Sequence, residues 1–120
     1  MSDKITSENA INAFKTCPNV PTMFLVLAVV CEKEGIRFRL EYDTGHYVPG
    51  AIHIEYMERG EEVPEELVKQ GPTGWTVEVN MRVMNDDDGR EMLYPKLGDA
   101  LVEAARLVVW TLQEREGETA

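Results

Sequence analysis

The usual acyl-transfer nucleophiles and imidazole bases in this chain are Ser2, Ser7, Cys17, Cys31, His46 and His53. A catalytic serine of the elbow type needs a sharp strand-to-helix turn that lifts its hydroxyl out of the backbone. Ser2 falls in a terminal segment and Ser7 at a helix start, so neither has that setting. A cysteine nucleophile needs a cationic or imidazole neighbour to hold it as thiolate. Cys31 closes an apolar run and reads as a small core residue. Cys17, placed before Pro18 where it could be exposed, has no histidine tied to it by spacing.

Metal chemistry is as poorly supplied. His53 and Glu55 fall on one face of a segment that alternates like a strand, with His46 just upstream, so two of them could reach one ion. The third and fourth ligands of a closed site are missing from the pattern. The run Asp86-Asp87-Asp88-Gly89 suggests a calcium loop. Setting Gly89 at that loop's glycine puts Met84 and Pro95 at its first and last ligand positions, where oxygen donors are required. What remains is a solvated hairpin turn. Neither GxGxxG nor GxxxxGK[ST] occurs, so no phosphate cradle is indicated. Acids abound, but no pair stands out for general acid and base work. The residues therefore point to a protein that is not an enzyme and uses no cofactor or metal.

Charge is the more informative property. The 120 residues carry 22 acids against 12 bases, a net charge of −10. A domain that grips nucleic acid draws its affinity from Lys and Arg displacing counterions at phosphates. This chain would be repelled by DNA, RNA and anionic lipid, and drawn instead to basic protein surfaces. Residues 41–72 hold eight acids and two bases, so more than half of the excess sits in the middle of the chain. Glu58, Glu61, Glu62, Glu65 and Glu66 form the main concentration, and Asp86, Asp87 and Asp88 add a second. Like charges so closely spaced need solvent or an opposing partner. They are either an exposed acidic loop or a docking patch for a basic surface.

The elements that must position these residues follow from periodicity and punctuation. Ser7 to Lys15 reads as a helix capped by Thr6 or Ser7 and stopped at Cys17-Pro18. A second helix spans about Pro21 to Glu34, with Gly35 as its left-handed cap. Its middle, Met23 to Cys31, is apolar on every side, which predicts burial on more than one face. Ile36, Phe38, Leu40 and Tyr42 alternate with Arg37, Arg39 and Glu41 in a strand with one wet face. Ile52, Ile54 and Tyr56 alternate with His53 and Glu55 in a second strand. Trp75 to Met84 reads as a third, with Trp75, Val77, Val79, Met81 and Val83 inward, and Arg90 to Tyr94 as a short fourth. Arg37 and Arg39 would then face Glu55 or Glu78 on neighbouring strands. Pro64-Glu65-Glu66 starts a helical turn or two inside the acidic excursion of residues 58–74, and a long helix runs from about Lys96 to Arg115.

These elements compose an α+β domain of order α-α-β-β-(α)-β-(β)-α: a small antiparallel sheet of three to four strands with helices packed on one face. Residues 1–120 read as one domain, with 1–4 and 116–120 as frayed tails. The order α-β-β-β-α resembles that of double-stranded RNA-binding domains. Those carry a lysine cluster at the start of the last helix, whereas here Lys96 is followed by Asp99 and Glu103. The N-terminal segment has no apolar h-region, no run approaches the ~20 residues that span a bilayer, and two cysteines make no disulfide framework, which together predict a cytoplasmic protein.

The expected function is stoichiometric binding: an acidic inhibitor or accessory factor, of the immunity, antitoxin or phage counter-defence kind. It would block a basic protein surface, such as that of a nucleic-acid-handling protein, without itself touching nucleic acid or membrane. A subunit that homo-oligomerises, for instance as a homodimer, through sheet edges is the alternative. A small-molecule binder with a cleft lined by Tyr42, Tyr47, Tyr56 and Trp75 is a third.

Overall fold

The computed structural model describes residues 4–119. The first helix, α1 (Ser7–Lys15), begins where Thr6 Oγ1 accepts the Asn9 N–H at 3.1 Å. The second, α2 (Val20–Glu34), begins where Asn19 Oδ1 accepts the Thr22 N–H at 2.9 Å, and it ends at Gly35 with φ of +63°. Both starts use a short polar side chain to satisfy an orphan backbone donor. The chain continues through β1 (Phe38–Asp43), β2 (His46–Tyr47), α3 (Gly50–Arg59), a 3₁₀ turn (Glu65–Leu67), β3 (Lys69–Gln70), β4 (Gly74–Val79) and α4 (Leu97–Thr119).

The class is α+β. The strands divide between two antiparallel ladders, β1 with β4 and β2 with β3. In the first, Phe38 stands opposite Val79, Leu40 opposite Val77, and Asp43 opposite Gly74. The period-two pattern sets the faces: Phe38, Leu40, Trp75, Val77 and Val79 join the core, while Arg39, Glu41, Thr76 and Glu78 form the opposite face. Arg39 reaches Glu78 across this ladder at 4.0 Å, as the alternation leads one to expect. The core is completed by one stripe of α4 (Ala100, Leu101, Ala104, Val108 and Leu112), by Leu27, Val30 and Cys31 of α2, and by Ala10 and Phe14 of α1. Alanines 100 and 104 let the neighbouring elements approach α4 closely, while each buried leucine or valine contributes about 1.5–3 kcal/mol.

Several segments differ from the sequence expectation. Residues 50–59, read as a strand from the alternation of Ile52, Ile54 and Tyr56, form α3. Glu55 consequently faces Arg59 along the helix, at 2.6 Å, and not Arg37 or Arg39. The strand expected to run to Met84 stops at Val79. There Asn80 and Met81 take φ of +50° and +66°, and Val79 and Arg82 exchange both backbone hydrogen bonds across a two-residue turn. The chain reverses there, which leaves Met81 and Val83 exposed where inward positions were expected. Arg82 holds the reversal against α4, its guanidinium paired with Glu114 and 4.4 Å from the Trp110 ring centre. The fourth strand is reduced to single bridges, Asn85 with Glu91 and Trp75 with Tyr94. The apolar helix α2 buries one side only, since Leu25 and Val29 are 63% and 48% exposed. The C-terminal residues expected as a frayed tail continue α4 as helix through Thr119, while residues 1–3 and 120, also expected as tail, lie outside the described residues.

No core residue comes from the stretch between Leu40 and Trp75. Residues 44–73 instead form an arm whose neck is the β2–β3 pair, His46 opposite Gln70 and Tyr47 opposite Lys69. The neck is tight: a Cβ on Gly45 would lie 2.5 Å from the Gly71 carbonyl oxygen, and Gly45 has φ of +78°. Only glycine fits there. The molecule measures 59 × 31 × 27 Å with a radius of gyration of 18.6 Å, against about 14 Å for a compact chain of this length. Its surface of 8455 Å² likewise exceeds the roughly 6,600 Å² expected from its mass.

Candidate functional site

Glu58, Glu61, Glu62, Glu65 and Glu66 all lie on the arm. Glu58 belongs to α3, Glu61 and Glu62 follow the helix-ending Gly60, and Glu65 and Glu66 lie in the 3₁₀ turn. Each is exposed, and none takes part in an ion pair among the described residues. The arm's two bases are differently placed. Arg59 is held by Glu55 and lies over the Tyr56 ring, 5.4 Å from its centre, and Lys69 sits at the neck. The outward field of the arm is therefore carried by unpaired carboxylates.

The helical form of residues 50–59 adds what the strand reading concealed. At 100° per residue, Ile54, Met57 and Glu58 share one face, while Ile52 and Tyr56 share the other. Ile52 and Tyr56 are half-buried, whereas Ile54 and Met57 are 55% and 67% exposed. An apolar pair held out in water and flanked by acids is the composition of a small docking face, with a desolvating centre and a charged rim. The signal for it in the sequence was the Gly60 cap with Arg59 in the last turn, which marks a helix end.

The aspartates lie apart from these residues, on the hairpin of residues 85–91. Asp86 is used internally, its Oδ1 accepting the N–H groups of Asp88 at 2.9 Å and Arg90 at 3.0 Å. Asp87 and Asp88 are exposed at the tip. Asp86 also borders a cleft of about 620 Å³ between this hairpin and the arm's neck, together with His46, Tyr47 and Arg90.

Other candidate chemistry is dispersed. His53 and Glu55, two residues apart on a helix, point about 200° apart and share no face. Among the described residues no three ligating side chains come together. Of the four aromatics, Tyr42 and Trp75 meet edge to face at 5.1 Å, but Tyr47 is at the neck and Tyr56 on α3, so they line no common cleft. Burial pushes the Cys31 thiol up to about 11, and the Cys17 thiol donates to the Ala13 carbonyl. No helix among the described residues is long and apolar enough to cross a membrane. Comparison with known families, with curated proteins and with solved structures gives no match in any of the three.

Proposed function

We propose that this protein works by stoichiometric binding, as an acidic inhibitor or accessory factor whose arm occupies a basic surface on another protein. The observation that supports this reading is the arm itself: it adds nothing to the core, yet presents Ile54 and Met57 beside Glu58, with Glu61, Glu62, Glu65 and Glu66 exposed next in the chain. A loop kept only for solubility has no use for exposed Ile and Met, whereas a binding face needs apolar area at its centre and charge around it. Unpaired carboxylates steer encounter with a cationic partner, and salt screens that attraction over about 10 Å at 0.1 M. A nucleic-acid-handling protein offers the matching surface, because its own site is a basic patch. Immunity, antitoxin and phage counter-defence proteins act in this manner.

The test is affinity capture from host-like lysate with the wild-type chain and with a Glu61→Lys, Glu62→Lys, Glu65→Lys, Glu66→Lys variant. The expected result is a basic protein retained by the wild type at low salt, released at high salt and lost by the variant. With the purified partner, the variant should associate more slowly and with a flatter salt dependence. Equal retention by the two chains would refute the arm as the binding face.

A further inference from the structure

Strand β1 has one neighbour, β4, and its other edge is open. The ladder's alternation shows which groups face that edge. Asn80 N–H donates to the Arg37 carbonyl, while Trp75 and Val79 turn their own N–H and C=O away from β1, toward Tyr94 and Arg82. Antiparallel pairing alternates residue by residue. The bonds to β4 therefore fall on Arg39, Glu41 and Asp43, and the N–H and C=O groups of Phe38, Leu40 and Tyr42 point outward. These groups have no backbone partner among the described residues.

The side chains along this edge read Arg37-Phe38-Arg39-Leu40-Glu41-Tyr42-Asp43. Reversed about Leu40, the order of charges inverts: Arg37 exchanges with Asp43, Arg39 with Glu41, and Phe38 with Tyr42. An antiparallel copy of this strand, with Leu40 on a twofold axis, is thus its complement at every position. We propose that β1 pairs with β1 of a second copy in this register, forming an isologous dimer with a continuous four-stranded sheet. The two Leu40 residues and the two Phe38–Tyr42 pairs would exchange the outward backbone bonds. Each Arg39 would meet the second copy's Glu41, and each Arg37 its Asp43.

Two further features fit a second copy. A twofold axis normal to the sheet keeps both core faces on the same side, so the two α2 helices flank the axis there. Phe24 of α2 already meets Phe38, with ring centres 6.2 Å apart, which places this helix over β1. Leu25 and Val29 project from the side of α2 opposite the buried Leu27, and both are exposed. They would form the apolar contact between the two helices. An edge strand left open is ordinarily guarded by charge, by proline, by a bulge or by a covering element. This one carries both signs in self-complementary order and no proline.

The proposal is independent of the arm and is tested without it. Arg39 and Glu41 pair with each other along their own strand, with side chains 54% and 55% exposed. In the dimer each would exchange this solvent-screened partner for the second copy's, and urea denaturation of each variant checks that its fold is intact. The wild-type chain should sediment at twice its 13.6 kDa mass at micromolar concentration. Arg39→Glu places acids opposite acids in the homodimer, and Glu41→Arg places bases opposite bases. Each variant alone should dimerise about tenfold more weakly. Mixed in equal amounts, the two restore every attractive pair, and native mass spectrometry should show the heterodimer dominating. A wild-type chain that stays monomeric up to about 100 µM would overturn the proposal. So would variants that dimerise as tightly as the wild type, or a mixture with no preference for the heterodimer. Reversing the arm glutamates should leave the dimer intact, which separates failure of one reading from failure of the other.

Discussion

Ser7 and Glu116 stand 109 positions apart and share two hydrogen bonds: the Ser7 N–H donates to Oε1 at 2.7 Å and the Ser7 hydroxyl to Oε2 at 2.8 Å. The carboxylate thus serves the first turn of α1, where backbone donors lack a helical acceptor and negative charge is favoured. It ties the first helix to the last.

Those two bonds hold the Glu116 carboxyl below the ordinary carboxylate range. A carboxyl whose value is lowered on folding stabilises the fold above its unfolded value, and that contribution is lost as the pH falls through the lowered one. Glu116→Gln should therefore lower the melting temperature at pH 7. The gap between variant and wild type should close under strong acid. Thermal melts across the acid range check both, and a gap that stays constant with pH would contradict the assignment.

Met81 occupies a left-handed conformation that suits glycine, at the second position of a two-residue hairpin turn, and it is 77% exposed. Met81→Gly relieves the backbone without removing a packed side chain. It should stabilise the fold by about 1 kcal/mol, measured by urea denaturation. A loss of stability would mean that the exposed side chain makes a contact in solution.

Core and arm should respond differently to truncation. Leu101 is fully buried, so Leu101→Ala should cost about 3 kcal/mol. Ile54→Ala, on the exposed face of α3, should stay within about 0.5 kcal/mol. Native-state hydrogen exchange should likewise show the α3 amides exchanging well before those of α4, because the arm can open without breaking the core.

The two thiols should separate under native alkylation. Cys31 is buried with its value raised to about 11, whereas Cys17 is half-buried. Neutral iodoacetamide should modify Cys17 alone, as peptide mass mapping would show, and Cys31 only after denaturation.

Much of this architecture is legible in local patterns. Thr6, Pro21 and Gly35 mark helix ends through backbone groups that need particular neighbours, and the structure uses them so. The β1 alternation and the α4 stripe survive because burial on one face enforces each period. Residues 52–56 misled because Ile, Ile and Tyr at every second position suit a strand, while Ile52 and Tyr56 also lie one helical turn apart. No core contact arbitrates between the two in an arm that buries little. The end of β4 was illegible for another reason. Asn80-Met81 lacks the glycine of a standard tight turn, and it is the pairing of Arg82 with Glu114 and Trp110 that holds the reversal. The acidic positions were plain, but the apolar face beside them emerged only once residues 50–59 were helical.

Asp43 and Gly74 are direct partners at the end of the β1–β4 ladder. The chain leaves the sheet and re-enters it at adjacent points, so residues 44–73 are an insertion in a plain β-hairpin. A two-residue turn would close the same hairpin, and the entropy of closing a longer loop grows only logarithmically with its length. The arm can accordingly be lengthened, recharged or replaced over evolutionary time while the helices and sheet stay as they are. A lineage that must follow a changing target would keep its scaffold and rewrite this cassette, and a designer could graft a foreign loop between Asp43 and Gly74 in the same way.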